Sequence, residues 1–126
     1  MALIAIVTIL SIFEYSVFTL MVGWARERTG VAAPQTSGHP EFERYFRVQQ
    51  NTLERLMVFI PSLWIFGYYV QPMIGSIIGL IFIMARVAYC MAYISEPVKR
   101  GMGYNIGELA ITSLMLGGLV GALYAL

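Results

Sequence analysis

Two residue types that build many small catalytic centres are nearly missing from this 126-residue chain, which has one cysteine, Cys90, and one histidine, His39. A single cysteine excludes an internal disulfide and a CxxC redox pair. A single histidine in a loop leaves a metal ion short of ligands, so no metal is expected. Charge is scarce too, at 12% of residues, roughly half the share of a soluble domain. Eight Lys and Arg face seven Asp and Glu, with no basic stripe of the kind nucleic-acid binding needs, so no nucleic-acid partner is expected. No basic stretch precedes the first apolar run and no small-residue cleavage site follows it. That run is therefore expected to be retained.

Apolar residues fill the space, at 59% with a mean hydropathy of +0.73. Met1 to Trp24 carries one charge, Glu14. That run is long enough to cross a hydrocarbon core about 30 Å thick as a helix. Arg26 to Pro40 holds Gly30, Pro34, Gly38 and His39 and reads as a polar loop. A second helix is expected over 41–70, then a tight turn at Gln71-Pro72 and a third helix over 72–95. Glu96 to Gly101 reads as a second polar loop, and a fourth helix is expected over 103–126. The expected fold is all-α, a single polytopic domain of four antiparallel transmembrane helices. Gly75 and Gly79, and Gly117 and Gly121, are spaced to let helices pack closely in lipid. Pro61 lies inside helix two and is expected to kink it.

Arg26, Arg28, Arg44, Arg47, Lys99 and Arg100 all fall at one face of such a bundle. The positive-inside rule then puts both polar loops in the cytoplasm and both termini outside. The apolar runs also stop early. Leu56 to Val70 is the charge-free part of helix two, roughly 22 Å of rise. Pro72 to Ala85 is the charge-free part of helix three before Arg86, roughly 21 Å. Glu54, Arg55 and Arg86 thus reach similar depths, where an ionisable group is costly unless paired or facing a polar cavity. Arg44, Arg47, Asn51, Glu54 and Val58 share one stripe of helix two, and Arg86, Tyr89 and Tyr93 one stripe of helix three. Two polar stripes at one depth imply a pocket open to the cytoplasm. Guanidinium forks there suit a hydrophilic anionic ligand. The simpler alternative is a set of structural ion pairs such as Glu54 with Arg86, but arginines outnumber nearby carboxylates.

The segment Pro40-Glu41-Phe42-Glu43-Arg44-Tyr45-Phe46-Arg47-Val48-Gln49-Gln50-Asn51-Thr52-Leu53-Glu54 resembles the Glu-Arg-x-x-Arg-x-Gln-x-Asn-x-x-Glu signature of one family. It is the family of membrane-associated proteins in eicosanoid and glutathione metabolism. Thr36-Ser37-Gly38-His39-Pro40 and Ala85-Arg86-x-x-Tyr89-x-x-x-Tyr93 fit its leukotriene synthase branch. The resemblance covers nearly the whole chain. It implies a homotrimer of four-helix bundles with glutathione bound between subunits near the cytoplasmic face. Arg47, Asn51, Glu54, Tyr89 and Tyr93 would come from one subunit, Arg26 and Gln49 from its neighbour. Arg100 matches the arginine that holds glutathione as thiolate, which makes it the expected catalytic residue. A lipophilic electrophile would arrive from the bilayer.

Two positions depart from the leukotriene branch: Arg26 is followed by Glu27, where that branch has a second arginine, and Arg55 stands where it has tyrosine. Both fit a general, detoxifying microsomal-type glutathione transferase better. Glutathione-dependent reduction of lipid hydroperoxides is a further expectation. The host membrane is either the endoplasmic reticulum or a bacterial inner membrane. One alternative keeps the same fold as a non-enzymatic lipid-binding protein. Another uses Glu14 as the proton and drug site of a small four-span exporter, although the long first loop and charged start of helix two speak against it. Otherwise Glu14 is expected to make a polar contact inside the bundle, to Arg86 or a tyrosine. Glu108, one turn into helix four, is accounted for by the helix dipole, and Cys90 by packing.

Overall fold

The computed structural model describes residues 1–126. Four α-helices follow one another: α1 (Ala2–Thr29), α2 (Pro40–Tyr69), α3 (Pro72–Ser95) and α4 (Gly101–Tyr124), with a 3-10 turn over Pro97–Arg100 leading into α4. Local chemistry sets most of these ends. Gly30 closes α1 in the left-handed conformation, φ 77°, with its N–H on the Arg26 carbonyl, a backbone state glycine adopts without strain. His39 opens α2, its Nδ1 accepting from the Glu41 N–H at 3.1 Å, with Pro40 behind it and Glu41 and Glu43 in the first turn. Gln71 opens α3 in the same manner, its side-chain oxygen accepting from the Ile74 N–H at 2.9 Å.

Two boundaries differ from the sequence expectation. α1 runs on to Thr29 rather than stopping at Trp24, because Ala25, Arg26, Glu27 and Arg28 are good helix formers and the first available stop is Gly30. The segment Glu96–Gly101 is not an open loop. It winds as a 3-10 turn directly into α4, which begins at Gly101. Pro61 sits inside α2, and the helix is continuous across it.

Cross-helix contacts fix the arrangement. Trp64 Nε1 donates to Thr8 Oγ1 at 2.9 Å, and Gln49 Nε2 to Thr19 Oγ1 at 3.0 Å, so α1 and α2 are antiparallel. Arg44 reaches the Ile94 carbonyl and Arg86 reaches Asn51, so α2 and α3 are antiparallel as well. α1 and α4 flank the α2–α3 pair and do not touch. The main core gathers Ile4, Val7, Phe59, Leu63, Phe82 and Leu114, with Phe59 and Phe82 stacked at 4.0 Å between centroids. Close approach depends on small residues. A Cβ at Gly79 would stand 2.7 Å from Val7 Cγ1, as expected where lipid gives helices no hydrophobic reason to associate.

The outward faces are apolar, with Ile9, Phe13, Leu20, Met84 and Leu109 all exposed. Ala2–Thr29, Pro72–Ser95 and Pro97–Tyr124 are each long and apolar enough to cross a membrane. α2 falls short in apolarity because its first half carries Glu41, Glu43, Arg44, Arg47, Glu54 and Arg55. It is nonetheless the longest element at 30 residues, about 45 Å.

Candidate active site

The antiparallel order brings the end of α1, the start of α2, the end of α3 and the start of α4 to one end of the bundle. Nearly all the charge is there. Arg28 pairs with Glu41. The Arg26 guanidinium lies 4.6 Å over the Phe42 ring and donates to the Gln35 carbonyl at 2.6 Å.

Between α2, α3 and the start of α4 this end opens into a cavity of about 350 Å³, lined by Arg47, Asn51, Tyr89, Tyr93, Arg100, Gly101 and Tyr104. Helical spacing explains the set. Arg47 and Asn51 are four apart on α2, Tyr89 and Tyr93 four apart on α3, and Arg100 and Tyr104 four apart at the entry to α4, so each pair faces one way. The Tyr89 ring lies 5.5 Å from Tyr93 and 6.1 Å from Tyr104. The Arg100 guanidinium lies 5.3 Å over the Tyr93 ring, with Nη1 donating to the Pro97 carbonyl at 2.6 Å. Close packing behind Arg100 fixes its height. A Cβ at Gly103 would meet the Tyr89 amide nitrogen at 2.7 Å and the Ala85 carbonyl at 2.9 Å, so α4 starts in backbone contact with α3. Two guanidinia and three phenols line the cavity and no carboxylate does. Such a lining attracts an anion and can donate several hydrogen bonds to it.

Of the residues singled out from the sequence, Arg47, Asn51, Tyr89, Tyr93 and Arg100 meet at this cavity. Glu54 does not line it; it stands half exposed with Oε1 3.8 Å from Arg47 Nη1. Arg26 and Gln49 are elsewhere on this chain, Arg26 over Phe42 and Gln49 against Thr19 of α1. Tyr104 and Gly101 are lining residues the sequence reading missed. Tyr104 stands one helical turn after Arg100, a relation hidden while Glu96 to Gly101 is read as a loop.

Two expected pairings and the account of Glu108 are corrected. Arg86 does not pair with Glu54: its Nη2 donates to Asn51 Oδ1 and Thr52 Oγ1, each at 2.8 Å, because those side chains face α3 while Glu54 faces outward. Glu14 makes no hydrogen bond to Arg86 or to a tyrosine; both of its oxygens are enclosed without a donor. Glu108 does more than complement a helix dipole. It accepts two hydrogen bonds from Arg55 Nη1, both at 2.8 Å, which ties α2 to α4 one turn beyond Tyr104. Cys90 is buried and packs with Phe18, Val48 and Tyr89.

An all-helical bundle with an apolar exterior and a polar, arginine-lined cavity at its charged end defines an integral membrane protein with a cationic pocket at one end. The chain belongs to the MAPEG family, whose model matches residues 4–120. It is 40% identical over 115 residues to microsomal glutathione S-transferase 2 of Homo sapiens, covering 90% of this chain and 78% of that one. It is 39% identical over 99 residues to leukotriene C4 synthase of Rattus norvegicus, covering 79% of this chain and 66% of that one. An uncharacterized protein of Synechocystis is 39% identical over 122 residues, covering 97% of this chain and 89% of that one.

Proposed function

We propose that the protein is a membrane-bound glutathione transferase that conjugates glutathione to lipophilic electrophiles. The observation that carries this reading is the convergence of Arg47, Asn51, Tyr89, Tyr93 and Arg100 on one cavity without a carboxylate in its lining. Glutathione is a small peptide with two carboxylates, amide groups and a thiol. Arg47 supplies a fork for a carboxylate. Asn51 and the tyrosine hydroxyls supply hydrogen bonds to the peptide. Glu54, beside Arg47 at the rim, receives the ligand's ammonium group.

Arg100 acts on the thiol. A free thiol near pKa 8.5 is mostly protonated at neutral pH, and an adjacent cation lowers that value. An arginine cannot take the proton itself, so the proton leaves to water and Arg100 holds the thiolate electrostatically. The thiolate then attacks the electrophilic carbon. A carbon–sulfur bond forms and the leaving group departs, or, in an addition, the product carbanion takes a proton from water. Arg100 is exposed at the mouth, so both glutathione and water reach it from the aqueous side, while the electrophile arrives along the apolar helix faces. Each substrate comes from its own phase.

In this reading the charged end faces the cytoplasm and the active unit is a homotrimer. Arg26 and Gln49, which point away from the cavity of their own chain, then complete the cavity of a neighbouring copy. Reduction of lipid hydroperoxides by the same thiolate is an extension of the reaction. The test is conjugation of glutathione to a generic aromatic electrophile by detergent-purified protein, with ultraviolet absorbance following the thiolate. Turnover together with a thiolate band supports the transferase. Absence of both glutathione binding and turnover rejects it in favour of a non-enzymatic lipid-binding protein of the same fold.

A further inference from the structure

Behind the cavity lies a buried group of charges that the proposed reaction does not use. Arg86 is 1% exposed, the largest fully enclosed side chain in the protein. Its Nη2 donates to Asn51 Oδ1 and Thr52 Oγ1, and Thr52 Oγ1 in turn donates to the Val48 carbonyl at 2.7 Å. The guanidinium lies 4.2 Å over the Tyr89 ring. Arg86 therefore touches two lining residues, one on α2 and one on its own helix, while itself staying out of the cavity. On the far side its Nε–H is enclosed and unpartnered, and across the bundle so are both carboxylate oxygens of Glu14 on α1. Glu14 is 8% exposed.

We propose that Arg86 is a positioning residue that braces the back wall of the cavity and sets the direction of the Asn51 amide. The reasoning is a count of donors and acceptors. An asparagine side chain has one carbonyl oxygen and two N–H donors. Arg86 occupies the Asn51 oxygen, so the two N–H donors are what Asn51 presents to a ligand. A ligand at that point of the cavity is held through an acceptor, a peptide carbonyl or a carboxylate oxygen. Without Arg86 the amide is free to rotate and offers its carbonyl instead, which repels the same ligand atom. Were Arg86 only structural cement, its partners would not need to be cavity residues.

The inference rests on the glutathione reading for its kinetic part but not for its spectroscopic part. The variants are Arg86→Met, which removes the donors at similar length, and Arg86→Lys, which keeps the charge and loses the fork. In the detergent-solubilised protein without ligand, the side-chain amide signal of Asn51, assigned by its loss in Asn51→Ala, is followed by nitrogen-15 NMR. Both variants are expected to shift or broaden that signal. With glutathione, Arg86→Lys raises KM for glutathione about tenfold, the scale of one charge-assisted hydrogen bond. kcat at saturating glutathione changes less than about threefold, because Arg100 is untouched. Combining Arg86→Lys with Asn51→Ala adds nothing to Asn51→Ala alone, since one acts through the other. An unmoved Asn51 signal in both variants, or additive effects on KM, overturns the brace. If one variant does not fold, the other decides by the same signal. Failure of the wild-type protein to bind glutathione removes the transferase reading and leaves the ligand-free comparison to judge the brace.

Discussion

The two ends of the bundle are held together by different chemistry. At the uncharged end, Gly67, Gly75 and Gly79 seat against Ile4, Val7 and Phe66, while Gly117, Gly118 and Gly121 seat against Ile65, Phe66 and Tyr69. The cavity that opens there, about 570 Å³, is lined mostly by apolar groups, with Val70, Leu116 and Val120 beside Tyr69, Tyr124 and two glycines, and carries no charged side chain. At the charged end, ion pairs and rings replace the glycines: Arg28 with Glu41, Arg44 on the Ile94 carbonyl, Arg100 over Tyr93. Where arginines and tyrosines meet at this end, the space left between them has a polar, cationic lining. Glycine packing makes a rigid base in lipid, and long polar side chains make a site at its rim.

Gly103 is the exception, a tight glycine contact at the charged end, and substitutions can separate the two chemistries. The largest effect is expected for Arg100→Ala. It should lower kcat for conjugation by about a hundredfold or more, as loss of an electrostatic group at a developing charge does, while glutathione affinity measured by calorimetry falls far less. Next comes Arg47→Ala, with glutathione affinity expected to weaken about tenfold through loss of a charge-assisted contact. Glu54→Ala should weaken it in the same direction. Unchanged binding in both would remove α2 from the site.

Gly103→Ala and Gly79→Ala test the comparison itself. Each forces about 1–3 kcal/mol of overpacking, read as a lower midpoint of thermal unfolding in detergent. Only Gly103→Ala, which pushes the start of α4 off the α3 backbone, should also slow turnover. Equal loss of turnover in both would mean the two ends are not independent. The smallest effect is expected at Arg55 and Glu108, whose side chains are about a quarter to a third exposed. Removing either should cost on the order of 1 kcal/mol, and Arg55→Leu together with Glu108→Leu should recover part of that loss, since no lone charge is left behind.

The helices are legible in the sequence because their signals are local: apolar runs, and Pro40 and Pro72 at starts. The end of α1 is misread because charge suggests a loop, although Arg26, Glu27 and Arg28 favour a helix as strongly as apolar residues do. The lining residues on α2 and α3 are legible because a spacing of four puts Arg47 with Asn51, and Tyr89 with Tyr93, on one face. Pairing across helices is not legible in that way. Arg86 takes Asn51 and Thr52 rather than Glu54, and Arg55 takes Glu108, because rotation of α2 about its own axis decides which neighbour each side chain meets. Periodicity gives a face but not that rotation. The same gap hides Tyr104, which enters the cavity only because the 3-10 turn at Pro97–Arg100 feeds α4 in without a loop.

The most direct measurement is the ultraviolet difference spectrum of glutathione added to the purified protein, recorded for the wild type and for Arg100→Ala. A transferase in which Arg100 holds the thiolate gives a thiolate band that saturates with glutathione in the wild type and is lost in the variant, although the variant still binds glutathione. A band of equal size in both would contradict the role of Arg100. No band in either, with no binding, would contradict the assignment of the cavity to glutathione.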